Sequence, residues 1–377
     1  MSTRSIRRDF NSTDFEETKA LITWNAITEP GDRVAGKLIA DFGAQLALEK
    51  FLKRTYLGQD YEQAYQRWES RYHPKLADEK IALAQKHDLK LLTPSDSSWP
   101  LALTDLGVHQ PALLWYRGNP ENFSALNKSV GVVGSRNASH YGQRITAELV
   151  STLVAEDATV VSGGALGIDS VAHRATLGLN GVTVAFMAGS LDKPYPAANF
   201  QLFDEISHSG LLLSEMVPGS NPTRWRFLQR NRLIAAVSNA LVVTEAGLRS
   251  GSINTVNHAA ELDRPIYAIP GPITSPSSAG CNALIRDQLA GILVDVSELP
   301  QELGWRPVQL SKTDSMGSLE LRALDALTGK AQHFEDIRSL SGLTSIELRV
   351  ALGGLQLLGL AHGLGDQTWR KINPQRT

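Results

Sequence analysis

The chain has 377 residues, 42% apolar and 20% charged, with a net charge of −2. That length supports two or three domains, and the near-neutral balance excludes a protein that coats nucleic acid through an overall basic surface, so any anion site has to be local. A single cysteine, Cys281, excludes an internal disulfide framework and fits a reducing compartment; a buried place at a helix start is expected for it.

The opening run MSTRSIRRDFNSTDFEETKA mixes charges of both signs and has no apolar core of a signal peptide. No stretch approaches the roughly 18 apolar residues of a membrane span. A cytoplasmic protein without a membrane partner is expected. Residues 1–16 read as a disordered polar tail. From 17 to 90 the pattern is helical: Leu21, Ile22 and Trp24, then Val34, Leu38, Ile39 and Phe42, then Leu46, Leu48 and Phe51 recur at three- and four-residue steps. Pro30-Gly31-Asp32 divides the first two helices. Residues 91–124 hold a turn-rich linker and a short strand at 113–116.

Between 125 and 300 strands and helices alternate. Strand-like runs fall at 130–133, 159–161, 182–188, 211–214, 241–243, 265–269 and 292–294. They are nearly continuous Val, Ile, Leu and Ala, as expected when helices cover both faces of a parallel sheet. The predicted fold class is α/β, a Rossmann-like doubly wound and mostly parallel sheet. Residues 301–317 read as a second linker. In 318–377 three short helices, at 319–327, 334–340 and 345–358, precede a hairpin tip at Gly363–Asp366, which predicts a winged-helix-like domain. Its last helix offers only Arg349 and Gln356 with Ser345 and Glu347, few groups for reading a major groove. Protein contact is the expected use.

Four runs in the central domain carry the chemistry: GVVGSRNASHYG from Gly131, VVSGGALGID from Val160, FLQRNRLIAA from Phe227 and LVVTEAGLRSGSINT from Leu241. In an open parallel sheet the turns after the strands lie along one edge. Gly134 allows close backbone approach, Ser135 adds a hydroxyl and Arg136 a guanidinium fork. Ser162, Gly163 and Gly164 form a second glycine-rich turn, with Asp169 as a helix-capping or orienting residue and His173 as a packed one. Arg224, Arg226, Arg230 and Arg232 lie within nine residues, interleaved with Trp225 and Phe227, and Asn231 sits among them. Ser250 and Gly251 open a further helix. Backbone amides and arginines in one pocket suit phosphate, and several arginines suit a polyanion better than a mononucleotide. The spacing matches neither the dinucleotide GxGxxG fingerprint nor a P-loop with its lysine.

These runs, with GSLDKPYPAAN, YAIPG and SAGCNALIR, in this order from about Trp99 to Asp295, resemble the DNA processing protein A family (DprA, also called Smf). The resemblance implies a Rossmann-type domain that binds single-stranded DNA without consuming a nucleotide: not an enzyme, and with no cofactor. It further implies homodimerisation, protection of single strands during natural transformation and delivery of them to RecA recombinase. Carried over by motif, Gly134, Ser135, Arg136, Ser162, Gly163, Gly164, Arg230, Asn231, Arg232, Ser250 and Gly251 hold DNA phosphates. Leu228-Gln229 stand where the family often has proline. The helical region 17–90 looks like the family's SAM-like or helix-hairpin-helix-like domain, but Pro30-Gly31-Asp32 offers one glycine and an acid, so no DNA contact is expected there.

Two readings compete with this one. A small-nucleotide sensor would use the same pocket. A phosphoribohydrolase of the lysine-decarboxylase-like (LOG) type would need a catalytic acid, yet aligning Thr255 with its PGGxGTxxE signature puts His258 where the carboxylate belongs. Glu215, Glu245 and Glu261 are the remaining substitutes.

Overall fold

The apolar runs of the middle of the chain pair into one sheet of nine strands. The computed structural model describes residues 12–307 and 316–372, so most of the expected tail and part of the second expected linker lie outside the described residues. The strands are β1 (Lys90–Leu92), β2 (Leu114–Gly118), β3 (Ser129–Gly134), β4 (Thr159–Ser162), β5 (Thr183–Met187), β6 (Leu211–Ser214), β7 (Ala240–Glu245), β8 (Ile266–Ala268) and β9 (Gly291–Ile292). They lie in the order β1-β2-β6-β5-β4-β3-β7-β8-β9. From β6 across to β9 every pairing is parallel, and β1 and β2 close one edge antiparallel.

Alternation along each strand sends neighbouring side chains to opposite faces. Val130, Val132, Val160 and Val242 pack with Leu149, Val150 and Ala172 of the helices His140–Ala155 and Ile168–Gly178. Val133, Val161, Leu241 and Val243 pack with Leu233, Ile234 and Val256 of the helices Arg224–Val237 and Ser252–Glu261. Both faces are covered, which is why the strands carry no polar alternation.

The chain begins the parallel part at β3, steps outward through β4, β5 and β6, then returns to the other side of β3 for β7, β8 and β9. Strand order therefore reverses between β3 and β7. A crevice at the carboxyl ends of these two strands is the expected ligand position in such a sheet.

Five helices precede the sheet: Ser12–Ile27, Arg33–Phe42, Ala44–Leu52, Gln59–Glu69 and Leu76–Lys86. Trp24, Phe51, Tyr65 and Trp68 meet edge-on or tilted at their centre, with centroids 5.1 to 6.0 Å apart. The same core continues into Trp115, Met187, Phe203 and Leu212 of the sheet region, so these helices share one compact unit with the sheet, ending at Trp305. Asp32 caps the second helix, accepting from the amides of Val34 and Ala35.

The second unit starts at Arg306. It holds the helices Ser318–Ala326, Phe334–Ser341 and Ser345–Leu357 and a small antiparallel sheet of β10 (Gln332–His333), β12 (Thr368–Lys371) and β11 (Ala361–Gly365). Leu324, Ile337, Leu348, Leu352 and Leu355 form its core. Thr344 and Glu347 make a reciprocal capping box at the start of the last helix. Among the described residues no helix is long and apolar enough to cross a membrane.

Candidate nucleic-acid interface

Gly134 ends β3 beside the end of β7. A Cβ there would stand 2.6 Å from Ile168 Cγ1 and 2.8 Å from the Glu245 carbonyl, so glycine alone lets the two strands and the next helix start converge. The Ser135 amide donates to the Glu245 carbonyl at 2.7 Å, and the Ser135 carbonyl accepts from the Ile168 amide at 3.0 Å. Arg136, exposed, projects from this turn with its guanidinium 5.0 Å from the centre of the Phe227 ring.

The glycine-rich turn after β4 is knit together from within. Asp169 accepts from the amides of Gly163 and Ala165, both at 3.2 Å. Burial raises the Asp169 pKa, opposed by the Arg230 charge and by those two amides. Ser162 is buried and donates its hydroxyl to the Val132 carbonyl at 2.7 Å. Gly164 has a left-handed backbone (φ +67), and a Cβ there would meet the Phe203 ring. Ser162, Gly163 and Gly164, expected to hold phosphate, are buried and shape the turn from below.

Arg230 lies under the same turn. It donates to the Gly163 carbonyl at 2.5 Å and to the Phe186 carbonyl, tying the ends of β4 and β5 to the helix Arg224–Val237. A Cβ on Gly163 would stand 2.3 Å from its guanidinium, which is why that position is glycine. Burial pulls the Arg230 pKa down to about 10, with Asp169 opposing and Arg136 adding to the fall. It remains a cation at neutral pH, but a buried one whose donors face carbonyls. Asn231 bridges to Asn254 Oδ1 at 3.1 Å, linking this helix to the one that Ser250 and Gly251 open. Ser250 shares a hydroxyl contact with Ser252 at 2.7 Å, and Gly251 is exposed with open space where a Cβ would sit.

Arg232 departs from expectation. Its guanidinium forms a two-bond pair with Glu215, both bonds at 2.8 Å, and donates twice to the His109 carbonyl. The two side chains are 4% and 9% exposed. Arg232 points toward the amino-terminal helices, where Gly31 approaches it, and braces them through its buried pair with Glu215. Arg226 likewise pairs with Glu29. Neither partner was legible locally, because Glu29 and Glu215 come from distant segments.

The structure thus brings Gly134, Ser135, Arg136, the Gly163 turn, Arg230, Asn231 and Gly251 to one rim and turns Arg232 away from it. Phe227 is the hub that sequence reading undervalued: Arg136 and Arg230 lie on its ring and Tyr195 meets it edge-on at 5.9 Å. Its place at i−3 from Arg230 was the available signal. His173 is buried, with Nδ1 2.7 Å from Thr183 Oγ1; burial, then the Arg230 charge, lower its pKa to about 3. Cys281 is buried, as expected, and burial pushes its thiol up to about 12. Among the described residues no cluster of three or more His, Cys, Asp or Glu side chains has the makings of a metal site.

Residues 90–304 match the family described as DNA recombination-mediator protein A. The chain belongs to the DNA processing protein A (DprA/Smf) family. It is 38% identical over 311 residues to a Mycobacterium tuberculosis protein named for DprA, covering 78% of this chain and 80% of that one. It is 40% identical over 192 residues to the DNA processing protein DprA of Streptococcus pneumoniae, covering 51% of this chain and 67% of that one. The X-ray structure of DprA from Streptococcus pneumoniae superposes with a TM-score of 0.62 at 28% identity, covering 78% of this chain and 98% of that one. The structure of DNA processing protein A from Helicobacter pylori, which bears on that protein's single-stranded DNA binding mode, superposes with a TM-score of 0.52 at 28% identity, covering 58% of this chain and 96% of that one. Every rim residue from Gly134 to Gly251 lies inside the matched stretch. Membership gives the chain a DNA-processing, recombination-mediator role.

Proposed function

We propose that the rim binds single-stranded DNA through its sugar–phosphate backbone, and that the chain, working as a homodimer, protects such strands and delivers them to RecA recombinase during transformation and recombination. The observation that carries this reading is Arg136, an exposed guanidinium at the reversal point of the sheet, held over Phe227. Arg136, Ser135, Ser250 and Gly251 are the proposed surface contacts. Gly134, Ser162, Gly163, Gly164, Arg230 and Asn231 shape the rim and charge it from beneath. Arg249, in the loop after β7, and Arg224, at the start of its helix, add exposed cations.

The competing hydrolase reading needs a free carboxylate at this edge. Glu215 is consumed by Arg232, and Glu245 is buried with both oxygens accepting from Ser139. Glu261 is exposed beside His258 on the helix surface. These environments favour binding over chemistry.

Fluorescence-anisotropy titration of oligo-dT and of duplex DNA of equal length across salt tests the reading. A charge-assisted contact contributes roughly 1.5–3 kcal/mol, so Arg136→Ala should weaken oligo-dT binding by about tenfold or more. Affinity should fall steeply with salt. Salt-independent binding, or full binding by the variant, would remove the rim from consideration.

A further inference from the structure

Arg226 sits one helical turn before Arg230, so helix periodicity places both on one side of the helix Arg224–Val237. The two line a common small crevice with Ala188, just past the end of β5, and with Pro30. Arg226 therefore stands beside Arg230, one helical turn along from the rim, and its guanidinium is already engaged. Nε and NH2 donate to the two oxygens of Glu29, both at 3.0 Å, and NH1 donates to the Asn221 carbonyl at 2.8 Å. Arg71 reaches the same carboxylate at 3.0 Å. One carboxylate thus lies between two guanidiniums and leaves a local excess of positive charge.

A carboxylate held two-fold by arginine presents the planar pair of oxygens that a phosphate also presents. The side chains of Arg226, Glu29 and Arg71 are 17%, 32% and 43% exposed. Arg232 and Glu215, the other inter-segment pair of this helix, are 4% and 9% exposed. The Glu215 pair is sealed in, whereas the Glu29 group is open to water and to exchange.

We propose that Glu29 occupies, in the free protein, a position that a strand phosphate takes when DNA is bound, so that Arg226 and Arg71 extend the phosphate track beyond Phe227. This rests on the single-stranded DNA reading above. Glu29 then acts as an internal competitor: the amino-terminal helices restrain binding through a displaceable carboxylate. The same displacement loosens their hold on the DNA-facing helix. The Glu29 pKa is lowered, burial being outweighed by Arg226 and Arg71, so the competitor is ionised at neutral pH.

The test is oligo-dT anisotropy on the full chain at several salt concentrations. Glu29→Gln should bind about three- to tenfold tighter, with the slope of log K against log salt kept near that of the wild type, because the same phosphates are neutralised once Glu29 has been displaced. Glu29→Asp, which keeps the charge but shortens the reach, should fall between. In an Arg226→Ala background the Glu29→Gln gain should shrink to below about twofold. Wild-type affinity in Glu29→Gln overturns the proposal. So does a full gain that survives Arg226→Ala, which would mark a general effect of net charge. Weaker binding accompanied by a lower melting temperature would make the contact a brace, and also overturns it. If Glu29→Gln fails to fold, Glu29→Asp decides by the same gain in affinity. Absence of salt-dependent oligo-dT binding by the wild type is a separate result: it removes the DNA reading, and the proposal with it.

Discussion

Arg136 and Arg232 have opposite roles on either side of Arg230: one is an exposed cation on the rim and the other a sealed ion pair. Removing one member of a buried pair strands the other charge, at a cost of about 3–5 kcal/mol. Arg232→Ala should therefore lower the melting temperature of the first unit by several degrees, measured by differential scanning calorimetry, while leaving the salt slope of DNA binding unchanged. A lost salt slope with an unchanged melting temperature would return Arg232 to the DNA site. His173 gives a second prediction at this scale. Its folded pKa is lowered from 6.5 to about 3 by burial and the Arg230 charge. Above pH 6.5 the residue is neutral in both states and costs nothing. As pH falls from 6.5 toward 3 the unfolded chain takes up a proton that the folded chain refuses, so stability is lost at up to about 1.4 kcal/mol per pH unit. Melting temperatures at pH 7 and pH 5 should differ more for the wild type than for His173→Gln. Equal pH dependence would show that the imidazole finds a proton in the fold.

Elements that are buried on both faces announce themselves in sequence, and elements defined by distant partners do not. Runs 130–133 and 241–243 were legible as strands because helices on both sides leave no polar positions in them. β1, three residues long and antiparallel to β2, carries no such run and was missed. The glycine turns were legible in position but not in use: Asp169, four to six residues onward, claims the amides that the turn was expected to offer a ligand. The arginine helix was legible as a helix at a sheet edge. Which arginine faces out depends on Glu29, Glu215 and the carbonyls of Gly163 and Phe186, none of them near in sequence. The last helix, Ser345–Leu357, supports a prediction of its own. Gly353 lies in its interior with nothing within 4 Å of where a Cβ would be, whereas a Cβ on Gly354 would stand 3.1 Å from Glu320 Oε1. Glycine in an open helix interior costs about 0.5–1 kcal/mol relative to alanine. Gly353→Ala should raise the melting temperature of the second unit, and Gly354→Ala should raise it less or not at all. The reverse order would mean that the helix is strained at Gly353.

At the scale of the whole molecule, the sheet reversal between β3 and β7 gathers the rim, and all of it belongs to the unit that ends at Trp305. The second unit brings a three-helix core with a small sheet, whose last helix shows solvent Ile346, Val350 and Leu357 at 77%, 59% and 91% exposure. Those positions recur at four and seven residues along one face, and a helix that reads a major groove places polar or basic groups on the face it presents. Strand binding should therefore reside in the first unit alone. A chain ending at Trp305 is expected to bind oligo-dT within about twofold of the full chain and with the same salt slope, because the slope counts neutralised phosphates. Residues 306–377 on their own should bind neither single strands nor duplex at physiological salt. A shallower slope in the shortened chain would mean that the second unit supplies cations to the strand directly. A tenfold loss of affinity at constant slope would mean that it acts by joining copies of the chain, since avidity raises affinity without adding phosphate contacts.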